Sequence, residues 1–496
     1  MLLLNLDKKS KTPLYKQVYN QIVALIQKDV LKPGTKLPSS RLLAENHEVS
    51  RITITKAYEY LWSQGYTDSN QGGYTTVRFK PKETAFVGKD DTCKINFNKI
   101  TKDCCKAEAD EIQLLRTLNR GNKDFIDMSW FDIDERLFPL KEFKRAINNV
   151  LYKQGKNIFL YSEFQGYPLL RNFIASRMNI HGMLVSPDEV LITNGSQNGL
   201  DLIIQALCKP GSKVIAESPS YLNIFPLLKN KQVEIVEIKI EDEGIDPEEL
   251  EQLIVTHKPS FFYTMPNFQN PTGISMSQEK REKVLTICQR NNVPIIEDGF
   301  DEEMKFMGKL PMPIKAIDKC NIVIYVSSFS KVLSTGMRIG WIACHESLMK
   351  KLVYLKRFSD ISTNTLIQAA LAEFCTLGYF EYQIKRLNRI FKKRMQIALH
   401  LLKENINNKN IYWSTPLGGY LIWFKLYNLV IREKELMNFI EKYGINVNPG
   451  SRFYINKPEF LCFRLTISKL NEDEIETGIK RLSKALNDIY LQYYVK

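Results

Sequence analysis

Between residues 190 and 326 short apolar runs alternate with segments of helical periodicity, and few folds accept that rhythm. The strand-like runs fall at 190–193, 213–216, 233–238, 261–264, 294–297 and 321–326, with helical patterns such as 200–207 and 280–289 between them. A strand covered on both faces reads as a continuous apolar run, and joining two such strands in parallel requires a crossover, usually a helix. The pattern therefore predicts an α/β layer architecture with a mostly parallel central sheet, running from about residue 124. From about residue 347 it changes to long helices and then strands at 419–426 and 460–467, which predicts a smaller C-terminal α+β subdomain.

At 496 residues the chain exceeds one ordinary domain. Residues 80–123 are rich in Lys, Asp, Glu, Thr and Asn with little apolar periodicity, apart from a possible short helix at 111–118. They read as a linker between a module at 10–79 and a body at 124–496. The net charge of +14 is uneven, since residues 1–80 carry twelve Lys and Arg against six acids. An excess of that kind suggests a polyanionic partner for the N-terminal module.

Within that module Leu14, Val18, Ile22 and Leu25 or Ile26 recur at helical spacing, and Pro33-Gly34 closes the segment. Ser39 or Ser40 can cap a second helix through Leu42, Leu43 and Ala44. Ser50 opens a third, with Ile54, Ala57, Tyr58 and Leu61 inward. Two short helices joined by a tight turn have the form of a helix-turn-helix, and residues 66–77, broken at Gly72-Gly73, read as a hairpin wing. Pro13-Leu14-Tyr15, Lys32-Pro33-Gly34, Leu37 to Arg41, Val49-Ser50-Arg51, Ala57-Tyr58, Leu61 and Gly65-Tyr66 together resemble the GntR-type winged-helix domain. The resemblance implies double-stranded DNA as partner, with Arg41, Ser50, Arg51, Thr53 and Thr55 facing it. A helix N-terminus bearing hydroxyls and an arginine suits phosphates and base edges in the major groove.

In the body, Ser327-Ser328-Phe329-Ser330-Lys331 follows a strand-like run, and Arg338 lies seven residues beyond the lysine. That set meets the demands of pyridoxal phosphate: an amine for a Schiff base with the aldehyde, hydroxyls and a guanidinium for the phosphate dianion. Gly195, Ser196 and Gln197 open a helix and are candidates for a phosphate cradle. The ring nitrogen requires a buried carboxylate at a strand end, which Asp298 supplies, with Glu297 and Asp301 as alternatives. Tyr221 can stack on the ring, Asn270 can donate to the phenolic O3′, and Arg464 can hold an amino-acid carboxylate.

These motifs, in this order over 124–496, resemble the fold-type I aminotransferases. The resemblance implies catalytic roles for Lys331 and Asp298, and phosphate contacts from Ser196, Ser328, Ser330 and Arg338. It also matches Tyr161 to a tyrosine that reaches the phosphate of the neighbouring subunit, and so implies a homodimer. One position departs: Phe300 stands where that pattern usually has a tyrosine donating to O3′. Efficient transamination is therefore not expected.

A GntR-type head, a linker and an aminotransferase-like body resemble the MocR-type transcriptional regulators. The leading expectation is a DNA-binding regulator that senses pyridoxal phosphate or a small amino compound. A working aminotransferase with an accessory head is the second reading, and a cofactor-free scaffold the third. No apolar stretch approaches the roughly 20 residues needed to span a bilayer, and 1–6 is too short for a signal-peptide core, so a cytoplasmic location is expected. Nine cysteines without a C-x-x-C pair argue against a disulfide framework and a structural metal site.

Overall fold

The computed structural model describes residues 2–10, 12–69, 74–78, 125–300, 302–306, 308, 311–456 and 458–495. The chain divides into two compact units, Met1–Gly121 and Asn122–Lys496. The expected linker with its short helix, the Gly72-Gly73 break and the alternative carboxylate Asp301 lie outside the described residues.

The smaller unit contains α1 (Leu14–Gln27), α2 (Ser40–Asn46) and α3 (Arg51–Ser63), then β1 (Thr67–Ser69) and β2 (Thr75–Val77), antiparallel with Thr67 opposite Val77. Of the two candidate caps for α2 it is Ser39 that acts, its Oγ accepting the Leu42 N–H at 3.2 Å. Ser50 does the same for Ile52 at the start of α3. Val18, Ile22, Leu43, Ile54, Ala57 and Leu61 form the core of this unit, so the stripe read from spacing is the buried one. An extended N-terminal segment, not foreseen from the sequence, is held on α1 by Gln21. That amide accepts the Asn5 N–H at 2.8 Å and donates to the Asn5 carbonyl at 2.5 Å.

The larger unit begins with β3 (Ile126–Asp127), α4 (Leu140–Gln154) and α5 (Pro168–Ile180). Its main sheet has eight strands in the order β4 (Val190–Thr193), β11 (Gly340–Ala343), β10 (Val323–Ser328), β9 (Ile295–Asp298), β8 (Phe262–Thr264), β5 (Lys213–Ser218), β6 (Glu234–Glu241) and β7 (Gly244–Ile245). Strands β10, β9, β8, β5 and β6 are parallel, whereas β11 runs against both of its neighbours. The sheet is thus mostly parallel, as the alternating pattern required, and the two strands that pattern did not reveal, β11 and the short β7, are its antiparallel members.

Alternation along the strands builds two cores. Val214, Ala216, Tyr263, Ile296 and Ile324 face α6 (Ser196–Leu207), α7 (Ile224–Asn230) and α11 (Glu346–Ser359). Ile215, Phe262, Ile295 and Val323 face α8 (Pro247–His257), α9 (Gln278–Arg290) and α10 (Ile314–Ile317). Beyond α11 come α12 (Thr365–Thr376) and α13 (Tyr379–Asn405), then β12 (Ile411–Trp413), β13 (Leu421–Leu426), α14 (Glu433–Lys442), β14 (Ile445–Asn446), β15 (Asn448–Pro449), β16 (Leu461–Thr466) and α15 (Glu472–Tyr493). A four-stranded antiparallel sheet orders these strands β12-β13-β16-β15, and β14 pairs in parallel with β3. The first strand of the body is therefore completed by the C-terminal part of the chain.

Candidate functional site

Thr193, Ser218, Thr264, Asp298 and Ser328 are the last residues of β4, β5, β8, β9 and β10, and these strands point the same way. The carboxyl edge of an open α/β sheet is where ligand crevices form. A cavity here is lined by Ser196, Gln197, Tyr221, Asn270, Asp298, Phe300, Ser328, Ser330, Lys331 and Arg338, all singled out from the sequence, and by Phe131, Met265 and Thr335. Tyr161 is outside this lining, with 80% of its surface exposed.

Lys331 follows β10 in a single helical turn. Its ammonium donates to the Phe131 carbonyl and lies 3.8 Å from the centre of the Phe131 ring, while Tyr420 Oη donates to the Lys331 carbonyl at 2.7 Å. Phe131 also meets Phe300 edge-on, ring centres 5.7 Å apart. Phe131 and Tyr420 were not found from the sequence. Both come from segments remote from Lys331, and no local spacing signals them.

Asp298 is buried at the cavity wall. Oδ2 accepts the Tyr263 hydroxyl at 2.9 Å, and Oδ1 has no partner. Burial raises this carboxyl to about 6, because the charged form loses its hydration. Its neighbour Glu297 points to the opposite face of the sheet and accepts the N–H groups of Ile314 and Lys315 at 2.8 and 2.7 Å. Glu297 is thereby committed to the start of α10, and among the described residues Asp298 is the acid that faces the cavity.

The cup at the start of α6 is built mainly from backbone. Gly195 adopts φ 83° and donates its N–H to the Thr193 carbonyl at 2.9 Å, so its contribution is steric. A Cβ there would stand 2.5 Å from Arg338 Nη2, and one at Gly340 would stand 2.6 Å from the Gly195 carbonyl carbon. Ser196 and Gln197 remain as first-turn N–H donors at an α6 N-terminus that no side chain caps. Gly340, which lets β11 pass behind the cup, is a residue that only the sheet order reveals. Ser328 Oγ accepts the Ser330 N–H at 3.4 Å, and Arg338 Nη2 donates to the Asn194 carbonyl at 3.2 Å.

Arg464 on β16 is 2% exposed and lies behind Asn270. Nη1 donates to Asn270 Oδ1 at 2.9 Å, Nη2 to the Ser129 carbonyl at 3.0 Å, and Nε has no partner. Burial and the positive charge of Arg452 push it down to about 9. A buried guanidinium lacking a carboxylate partner has the chemistry to receive one.

In the smaller unit the start of α3 is exposed. Arg51 Nε donates to Ser40 Oγ at 3.5 Å, and Arg41 Nε to Glu45 Oε1 at 3.2 Å. Ser50 and Thr55 are exposed and Thr53 is half-buried; Arg41 is in the first turn of α2, Ser50 caps α3, and Arg51, Thr53 and Thr55 lie in its first half. Between them Ile52 is 78% exposed. The sequence signal for it was available, an apolar β-branched residue lying off the buried stripe.

The profile of the family "Aminotransferase class I and II" matches residues 127–482, and that of "Bacterial regulatory proteins, gntR family" matches 14–77. The chain belongs to the class I and II aminotransferase family. With its gntR-family head it has the architecture of a MocR-type transcriptional regulator. The chain is 29% identical to the HTH-type transcriptional regulator YdfD of Bacillus subtilis (strain 168), over 97% of this chain and 98% of that one. It is 30% identical to aromatic-amino-acid aminotransferase 1 of Thermococcus litoralis, over 71% of this chain and 85% of that one. Among solved structures, LysN, the alpha-aminoadipate aminotransferase of Thermus thermophilus complexed with N-(5'-phosphopyridoxyl)-L-leucine, matches with a TM-score of 0.72. It shares 28% identity, covering 80% of this chain and 100% of LysN.

The cavity of this MocR-type chain fits pyridoxal phosphate on its own chemistry. The unpartnered Asp298 oxygen suits a protonated ring nitrogen, and the Cβ-free Gly195 with the α6 N-terminus suits a phosphate. When bound, the cofactor supplies an aldehyde and an electron-withdrawing ring. Among the described residues no helix is long and apolar enough to cross a membrane.

Proposed function

We propose that the body of this regulator holds pyridoxal phosphate on Lys331 and responds to the cofactor, or to an amino compound bearing a carboxylate, by changing how the head engages double-stranded DNA. The observation that carries the proposal is Asp298, a buried carboxyl group with one oxygen unpartnered on the cavity wall. In this reading Asp298 holds the ring nitrogen, Asn270 donates to O3′ and Tyr221 lies against the ring. The α6 N-terminus at Gly195, Ser196 and Gln197 binds the phosphate with Ser328, Ser330 and Arg338. Arg464 takes the effector's carboxylate.

Arg41, Ser50, Arg51, Thr53 and Thr55 contact DNA, with Ile52 available to a thymine methyl. The working unit is a cytoplasmic homodimer in which Tyr161 reaches the partner's phosphate site. Its domains run 10–79 and 124–496 with 80–123 as linker. Coupling requires that the effector bind the two DNA-binding states with different affinity. Footprinting of the DNA upstream of its own gene tests this, with and without pyridoxal phosphate and a panel of amino acids. A protected region that shifts with cofactor is expected. Rapid keto-acid production without DNA protection would overturn the regulatory reading in favour of an aminotransferase.

A further inference from the structure

Lys356 on α11 is completely buried. Its ammonium directs its donors inward, to Asp360 Oδ1 at 2.6 Å, Asp360 Oδ2 at 2.7 Å and Thr363 Oγ1 at 3.0 Å. Holding an ammonium out of water is costly, and an apolar side chain of similar volume generally serves stability as well or better. What the pair offers that an apolar residue does not is a fixed carboxylate, and Asp360 Oδ2 also accepts the side-chain amide of Asn194. The backbone around Asp360 is forced into place. Ile361, a β-branched residue, takes the left-handed φ of 61°, and the Ser362 N–H donates to the Asp360 carbonyl at 2.6 Å. Such a conformation persists only where the surroundings over-determine it.

Asn194 immediately precedes the phosphate cup and is held at three points. Its amide group is held by Asp360, its N–H by Asn198 Oδ1 at 3.1 Å and its carbonyl by Arg338 Nη2 at 3.2 Å. The peptide that follows it carries Gly195, whose N–H and carbonyl both turn to Thr193, at 2.9 and 3.0 Å. Together these bonds fix the direction of the first α6 N–H groups. We infer that Asp360, braced by Lys356, is a positioning residue for the phosphate end of the cofactor site and acts through Asn194. The inference rests on the reading of the α6 N-terminus as the phosphate cup.

The test compares pyridoxal phosphate with pyridoxal, which has the same aldehyde and ring but no phosphate. Full-length Asn194→Ala keeps the Lys356–Asp360 pair and removes only the amide, and Asp360→Asn keeps the volume and removes the charge. Dissociation constants for both aldehydes are read from the visible absorbance of the protein-bound form. Pyridoxal phosphate should bind about 10- to 100-fold more weakly to each variant, the range for a lost hydrogen bond to a charged group. Pyridoxal affinity and the borohydride-reducible adduct at saturation should be unchanged. Equal weakening for both aldehydes, or unchanged pyridoxal phosphate affinity in Asn194→Ala, would overturn the inference. Should Asp360→Asn not fold, Asn194→Ala decides alone. A parent protein that forms no adduct with either aldehyde would sink the cofactor reading and this inference with it.

Discussion

Asp298 has its carboxyl raised to about 6 by burial, from an ordinary value of 3.8. With a folded pKa above the unfolded one, the native state keeps a proton that the unfolded chain has lost, so stability from this group falls as pH rises from about 4 through about 6. Asp298→Asn should flatten that part of the dependence in cofactor-free protein. Thermal unfolding midpoints at pH 5 and pH 7.5 will show a smaller difference for the variant than for the parent. Phe300 offers a second test. A phenol there would donate to O3′ and stabilise its negative charge, so Phe300→Tyr should lower the midpoint at which the cofactor-loaded protein's visible spectrum titrates with pH. A raised or unchanged midpoint would place residue 300 away from O3′. At this scale Lys331, Asp298, Asn270 and Arg464 stood out in the sequence because each is a chemically distinctive residue in or just after a strand-like run, and the structure brings the first three to one cavity, with Arg464 bonded to Asn270. Tyr263, Phe131 and Tyr420 were not, because an aromatic within an apolar run carries no mark of its partner.

Helices were the most legible elements. The caps at Ser39 and Ser50 and the inward stripe of α3 follow from hydroxyl placement and a 3.6-residue period. Loss of the Ser50 cap in Ser50→Ala should cost the head about 1 kcal/mol, seen as a lower denaturation midpoint. Arg51→Ala should weaken specific DNA binding by about 1–3 kcal/mol if the guanidinium reads a base, or reduce the salt dependence if it holds a phosphate. Titration of an operator fragment over a range of salt separates the two, and an unchanged affinity at every salt would remove Arg51 from the interface. Strand β11 escaped the sequence reading for a physical reason. It opens on Gly340, holds a single β-branched residue, Ile342, and directly follows the loop that carries Arg338, so no apolar run like that at 190–193 marks it.

For the whole molecule, several large apolar side chains of the body stand in water besides Tyr161, with Leu160 67%, Phe358 71% and Leu169 59% exposed. The homodimer proposed above would cover such residues. Sedimentation should give a dimer, and Tyr161→Ala should weaken pyridoxal phosphate binding several-fold while the dimer persists; an unchanged affinity would remove Tyr161 from the site. The two-module organisation was visible as a shift in composition, whereas the pairing of β3 with β14 was not, since residues 126 and 445 are joined only by the fold.

The place of β11 has a consequence for how the chain reaches its native state. It is the last strand of the main sheet to be synthesised, yet it lies between β4 and β10 and brings Gly340 behind the cup. Contacts between strands so far apart in sequence form late, after a costly loop closure. Until residues 340–343 are inserted, β4 and the cup it carries have no neighbour in the sheet. A chain stalled before that step has Lys331, Ser328, Ser330 and Arg338 but no α6 N-terminus fixed beside them, so the cofactor should bind the finished molecule better than the unfinished one and stabilise it preferentially. The unfolding temperature should therefore climb with the logarithm of free pyridoxal phosphate above its dissociation constant.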